Sequence, residues 1–154
     1  MNMKSTKKVK VILEQIEQYC KNNDCLLTTK RKLVLSSLLH SSKALSAYNI
    51  IDLCKELFDE EIAPMSMYRI LEFLENANLV HKLQLVNKYV IYSHISCNEK
   101  HNATQFLICK VCDQVKEVEV NKSAMMELKE NVALAGFQLA GSQLEINCIC
   151  HNCR

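Results

Sequence analysis

Two matched cysteine pairs, Cys109-Lys110-Val111-Cys112 and Cys150-His151-Asn152-Cys153, constrain this chain more than anything else in it. A C-x2-C turn presents two sulfurs to one metal ion with little strain, and zinc favours four thiolates in a tetrahedron. Each pair closes a strand-like run. The 37 residues between them exceed the usual zinc-ribbon spacing, yet they suffice for a strand–helix–strand excursion that returns the second pair to the first. The competing use of C-x2-C, a thioredoxin-like redox pair, wants one pair at a helix N-terminus after a strand in a parallel βαβ setting. Two matched pairs without that setting favour a structural zinc on Cys109, Cys112, Cys150 and Cys153. Cys148 is a spare ligand or a buried small hydrophobe. Cys20 and Cys54 read as core filling, and Cys25 has no assigned role.

Nine cysteines in all, with no export signal, point to metal or redox chemistry before disulfides. The opening Met1–Lys10 is basic but leads into a charged amphipathic segment rather than the apolar core of a signal peptide. No apolar run approaches the ~20 residues that cross a bilayer. A soluble cytoplasmic protein with no membrane partner is expected. The net charge of +2 says little, but its distribution says more: residues 1–35 carry eight Lys/Arg against three acidic residues, and residues 93–154 carry six against seven. A basic front and a neutral back fit a DNA-binding part joined to another function, although a solvated lysine-rich terminus gives the same count.

Val9, Ile12, Leu13, Ile16, Tyr19 and Cys20 repeat at three-and-four spacing and predict a helix of about four turns, closed by Asn22-Asn23-Asp24. Thr28 can cap a second helix carrying Leu33, Leu35, Leu38 and Leu39, and Ser46 a third carrying Ile50, Ile51, Leu53, Cys54 and Leu57. Pro64 opens a fourth, through Ile70, Leu71, Phe73 and Leu74, which Asn76 to Asn78 ends. Residues 80–83 and 89–92 then read as a hairpin around Val86-Asn87-Lys88. Helices followed by a hairpin describe a winged helix, whose last helix enters the major groove. Residues 93–103, polar and without period, read as a hinge. Beyond it, 105–108 and 115–120 read as strands, 123–134 as a helix, and 137–149 as a further strand with Gly141 at a turn or bulge. The fold class is therefore α+β: a winged helix-turn-helix domain over 1–92, the hinge, and a small α/β domain over 104–154. About 50 residues is a size at which a core needs a metal or a partner chain.

The segments LTTKR, LSAYNIIDL, APMSMYRILEFLENANLVHK, HNATQFLICKVCDQVKEVE and the terminal CHNC resemble the ferric uptake regulator family, from about residue 10 to 153. SAYNIIDL and LVHK are most similar to its zinc-uptake branch. The resemblance implies a homodimer that binds double-stranded DNA at palindromic AT-rich operators when metal-loaded and represses metal-uptake genes. It places Tyr68 and Arg69 on the recognition helix with Ser66, and it brings Tyr48 to DNA. Arginine suits guanine O6/N7, and tyrosine a phosphate or a thymine methyl. An amphipathic core position is the competing reading of Tyr68. Lys30 and Arg31, at a helix start, are expected at phosphates. The family pattern P-[TS]-[VI]-Y-R is here Pro64-Met65-Ser66-Met67-Tyr68-Arg69.

The resemblance also implies a second, regulatory metal site at the hinge, making two zinc ions per chain. Its ligands would be His81, His101 and Glu117. Where the zinc-uptake branch has a cysteine, this chain has Tyr92, so Cys97 is taken as the fourth ligand with His94 as its alternative. A thiolate with two imidazoles and a carboxylate suits tetrahedral zinc. His40 and His151 read as structural or solvated. Two other functions compete: an iron, manganese or peroxide sensor of the same family, and a zinc-stabilised protein-interaction module with no operator. An enzyme is not expected, because no nucleophile–base pair, phosphate loop or pair of catalytic carboxylates stands out.

Overall fold

The computed structural model describes residues 3–92, 103–141 and 143–154, and the chain divides into two compact units, Met1–Cys97 and Asn98–Arg154. The first unit holds α1 (Met3–Asn22), α2 (Thr29–His40), α3 (Ala47–Phe58), α4 (Pro64–Asn76) and a hairpin of β1 (Val80–Leu83) and β2 (Lys88–Ile91). The second holds β3 (Thr104–Cys109), β4 (Val115–Glu119), α5 (Lys122–Leu134), β5 (Gln143–Cys148) and a single 3-10 turn, His151–Cys153.

Local chemistry fixes where the helices of the first unit begin. The Thr28 hydroxyl accepts the Arg31 N–H at 3.4 Å and caps α2. Ser46 and Asn49 form a capping box at α3, in which each side chain accepts the other's backbone N–H at 3.2 Å. Pro64 occupies the first turn of α4, where its missing N–H costs nothing. Helix ends are set by left-handed residues. Asp24 and Asn78 have φ near +50°, and the Cys25 and Leu79 N–H groups close back onto the Cys20 and Leu74 carbonyls at 2.9 and 3.0 Å. Both closures are Schellman caps.

The apolar faces of the four helices meet in one core built around Ile16, Leu35, Ile50, Met67, Leu71, Leu74 and Leu79, all fully buried. α2 is buried on nearly every side of its middle, including Ser36 and Ser37. Their hydroxyls bond back to the Lys32 and Leu33 carbonyls at 2.8 and 3.0 Å, so no polar group is stranded. The hairpin is antiparallel, with Val80 opposite Ile91 and Leu83 opposite Lys88. Leu45 adds an antiparallel bridge to β2, exchanging two main-chain hydrogen bonds with Tyr89 at 3.1 and 2.8 Å. Helices followed by a hairpin so tied to the preceding loop make a winged helix.

The second unit is a three-stranded sheet in the order β4-β3-β5, with β3 antiparallel to β4 and parallel to β5. The parallel pairing requires a crossover, which α5 provides. Its buried apolar set is small: Phe106, Ile108, Cys109 and Met125 among the described residues. The single strand expected over 137–149 is shorter than its alternation suggests. Gly136 at φ +82° ends α5, and the Phe137 N–H closes onto the Val132 carbonyl at 3.0 Å. That third Schellman cap turns Phe137 outward, 75% exposed, and the strand starts only at Gln143. The first helix, in turn, begins at Met3, earlier than its apolar repeat. The segment read as a hinge lies, apart from Ala103, outside the described residues.

Candidate metal centre and nucleic-acid interface

The four sulfurs of Cys109, Cys112, Cys150 and Cys153 lie within 4.8 Å of one another. Sheet register brings them there. β3 ends at Cys109, which pairs with Cys148 of β5, and the Lys110 N–H reaches the Cys148 carbonyl at 3.0 Å. Two residues on, Cys150 arrives beside the turn that follows β3. That turn is closed by the Asp113 N–H on the Cys109 carbonyl, with Asp113 left-handed at φ +60°. The second pair is closed more tightly, in a 3-10 turn, by the Cys153 N–H on the Cys150 carbonyl at 3.0 Å.

The geometry fits a tetrahedral thiolate site. Cys112 Sγ and Cys150 Sγ are 3.7 Å apart. A tetrahedron with metal–sulfur bonds of about 2.3 Å has sulfur–sulfur edges of about 3.8 Å. The Cys150 N–H donates to Cys109 Sγ at 3.3 Å. This donor, with the Cys112 and Val111 N–H groups, holds the Cys109 thiol down to about 6 from its ordinary 9.0. Cys153 goes the other way, pushed up to about 12 by its hydrogen bonds to the Cys150 and Cys112 thiols and by its nearness to Cys109. Four crowded thiols therefore favour one thiolate by themselves, and a divalent cation is what lets all four ionise. With four protein ligands the centre is closed, which suits a structural role and leaves no position for substrate. Cys148, half-buried, stands outside the cluster. The amide donors to sulfur carry no side-chain signature, so spacing alone does not reveal them.

In the first unit, α4 divides cleanly. Met67, Leu71 and Leu74 are fully buried, while Met65, Ser66, Tyr68, Arg69 and Glu72 are exposed. Tyr68 is 43% exposed, one position after the core residue Met67, and so is not itself a core residue. Tyr48, in the first turn of α3, is 60% accessible. The α4 N-cap, Ala63, offers no side-chain acceptor, so the first-turn N–H groups point outward, as in helix termini that receive phosphate.

Lys30 and Arg31 are differently placed. Lys30 is exposed and pairs with Glu60 at 3.5 Å. Arg31 is half-buried, donates to the Leu26 carbonyl at 2.6 Å and lies 3.3 Å above the Phe73 ring of α4. It braces α4 through Phe73, a role its position in the sequence did not suggest. His81 is buried on β1, with Nδ1 3.1 Å from the Tyr92 hydroxyl. Glu117 is half-buried on β4. Cys97, His94 and His101 lie outside the described residues.

A winged helix in one unit and a clustered four-thiol centre in the other define a metal-binding regulator of the helix-turn-helix class. The model of the ferric uptake regulator family matches residues 22–147. The zinc uptake regulation protein of Escherichia coli (strain K12) is 32% identical over 92% of this chain and 81% of its own length. Among solved structures, a zinc uptake regulator complexed with zinc and DNA aligns with a TM-score of 0.77 at 28% identity, over 94% of each chain. A crystal structure of holo XcZur aligns at 0.73 and 30% identity, over 93% of this chain and 96% of that one. This chain belongs to the ferric uptake regulator family, and so is a metal-responsive transcriptional regulator, not an enzyme.

Proposed function

We propose that the chain is a zinc-responsive repressor of zinc-uptake genes, which binds a palindromic AT-rich operator in double-stranded DNA as a metal-loaded homodimer. The observation that carries this is the pairing of an exposed Tyr68-Arg69 edge on α4 with a thiolate centre of zinc dimensions. The likeness to the E. coli zinc uptake regulation protein supports the choice of metal. Arg69 reads a guanine edge, Tyr48, Ser66 and Tyr68 meet phosphate or a thymine methyl, and Lys30 adds charge near the backbone. Arg31 contributes by holding α4 in place.

The four-cysteine zinc keeps the second unit folded and does not sense. Sensing falls to a second zinc on His81, Cys97, His101 and Glu117, with His94 as the alternative to Cys97. In support, the Tyr92 hydroxyl engages His81 Nδ1. Outer-shell hydrogen bonds of that kind orient imidazoles for a metal. Filling the site would shift the dimer population toward the geometry that places both recognition helices on adjacent half-sites.

The test is elemental analysis of the purified chain, paired with binding to an AT-rich palindrome across buffered free zinc. The expected result is two zinc ions per chain, with tight DNA binding only as the second site fills. One zinc with zinc-independent DNA binding would remove the sensor. Tight binding driven by iron or manganese instead would reassign the metal.

A further inference from the structure

The C-terminal cap of α1 joins two thiols. In a Schellman cap the last-turn residue and the residue beyond the left-handed position face each other and commonly pack. In α4 that pair is Leu74 and Leu79, both fully buried in the core. In α1 the same two positions are Cys20 and Cys25, on either side of the left-handed Asp24. The Cys25 N–H to Cys20 carbonyl distance of 2.9 Å, with ordinary bond lengths, holds the two Cα atoms no more than about 6.8 Å apart. A disulfide needs about 4.4–6.8 Å. The side chains share one environment as well, since Cys25 packs against the core cluster that contains Cys20.

We infer that Cys20 and Cys25 are an oxidation site, a dithiol that closes reversibly to a disulfide across the α1 cap when a hydroperoxide reaches it. The two sulfurs divide the chemistry by exposure. Cys20 is buried, and burial, followed by the neighbouring Cys25, pushes its thiol up to about 12. Cys25 is half-exposed and meets the oxidant first. Its thiolate attacks the peroxide, the O–O bond breaks, and Cys25 becomes a sulfenic acid with release of water or an alcohol. The Cys20 sulfur then displaces hydroxide from the sulfenic sulfur, the S–S bond forms, and the hydroxide leaves as water with the Cys20 proton. Two thiols lose two electrons and two protons, and one peroxide takes them up.

The location gives the reaction a neighbour of consequence. Cys25 precedes Leu26, whose carbonyl accepts the Arg31 guanidinium that lies over Phe73 of α4. The pair is separate from the four-thiol centre, which lies in the other unit.

The test treats the full chain, in buffered free zinc that protects the metal-bound thiols, with graded hydrogen peroxide. Remaining thiols are alkylated and the protein is digested with trypsin without reduction. Cleavage after Lys21 separates the two cysteines, so a disulfide joins peptides 11–21 and 22–30. The expected result is that joined species, lost on dithiothreitol treatment, with two thiols consumed per chain before zinc is released. Cys25→Ser should show neither the joined species nor the two-thiol loss, while its melting temperature stays near that of the parent. Recovery of Cys25 as a free thiol, as an over-oxidised acid, or joined to another cysteine would overturn the assignment, and the parent chain alone decides this if the variant folds poorly.

Discussion

The two units solve the same stability problem by different means. The first buries a broad apolar cluster drawn from four helices and a hairpin. Among the described residues, the second places only Phe106, Ile108, Cys109 and Met125 out of solvent, and leaves Met126, Leu134, Phe137 and Ile146 exposed. At about 1.5–3 kcal/mol for each large buried side chain, the first set outweighs the ordering entropy of a small domain far more easily than the second. The sheet unit therefore leans on its thiol centre. A core tolerates the loss of any one member in part, whereas a four-ligand centre does not.

The largest effect should come from breaking the centre. Cys112→Ser, or zinc removal by a strong chelator, should unfold the second unit and leave the first intact, because structural zinc of this kind contributes roughly 10–16 kcal/mol. Hydrogen exchange read separately on 3–92 and 103–154 checks this, and protection of β3 and β5 that survives without metal would refute it. Acid should act on the same centre. Cys109, held down to about 6, contributes thiolate stabilisation that is complete above its ordinary 9.0 and lost as pH falls through about 6. Zinc release to an indicator should rise steadily below neutral pH while the helical signal of the first unit holds.

Leu71→Ala tests the other strategy. It should cost about 2–5 kcal/mol in the first unit, seen as an earlier melting transition, with metal content unchanged. Arg69→Ala should leave both units as stable as before and weaken operator binding by about 1–3 kcal/mol while relaxing base preference, as measured by competition between operator variants. Smallest, Ser46→Ala removes one half of the α3 capping box and should cost about 1 kcal/mol of first-unit stability by chemical denaturation, with zinc content untouched.

The same contrast explains what could be read from the chain. Thr28, Ser46 and Pro64 are local signals, and the helices they open begin where those residues stand. The four cysteines were equally legible, because two C-x2-C turns carry their geometry in four residues each. Non-local features were not. The alternation from Phe137 onward looked like strand, while the deciding residue was Gly136, one position earlier, whose left-handed backbone ends α5. The start of a basic helix gives no hint that Phe73, 42 positions away, sits under the Arg31 guanidinium. Exposure of Tyr68 beside the buried Met67 required knowing which face α4 turns inward, which its apolar spacing only suggested.

The parallel pairing of β3 with β5 has a consequence for assembly. Thr104 lies opposite Gln143 and Cys109 opposite Cys148, and the second thiol pair begins only two residues beyond that last rung. Sliding β5 by one residue would move Cys150 by about 3.3 Å and turn its side chain to the other face. Sulfurs now 3.7 Å apart could then no longer share an ion. A metal held by the four sulfurs would thus proofread strand alignment, closing on one register and rejecting its neighbours, so that a loaded centre would certify a correctly threaded sheet.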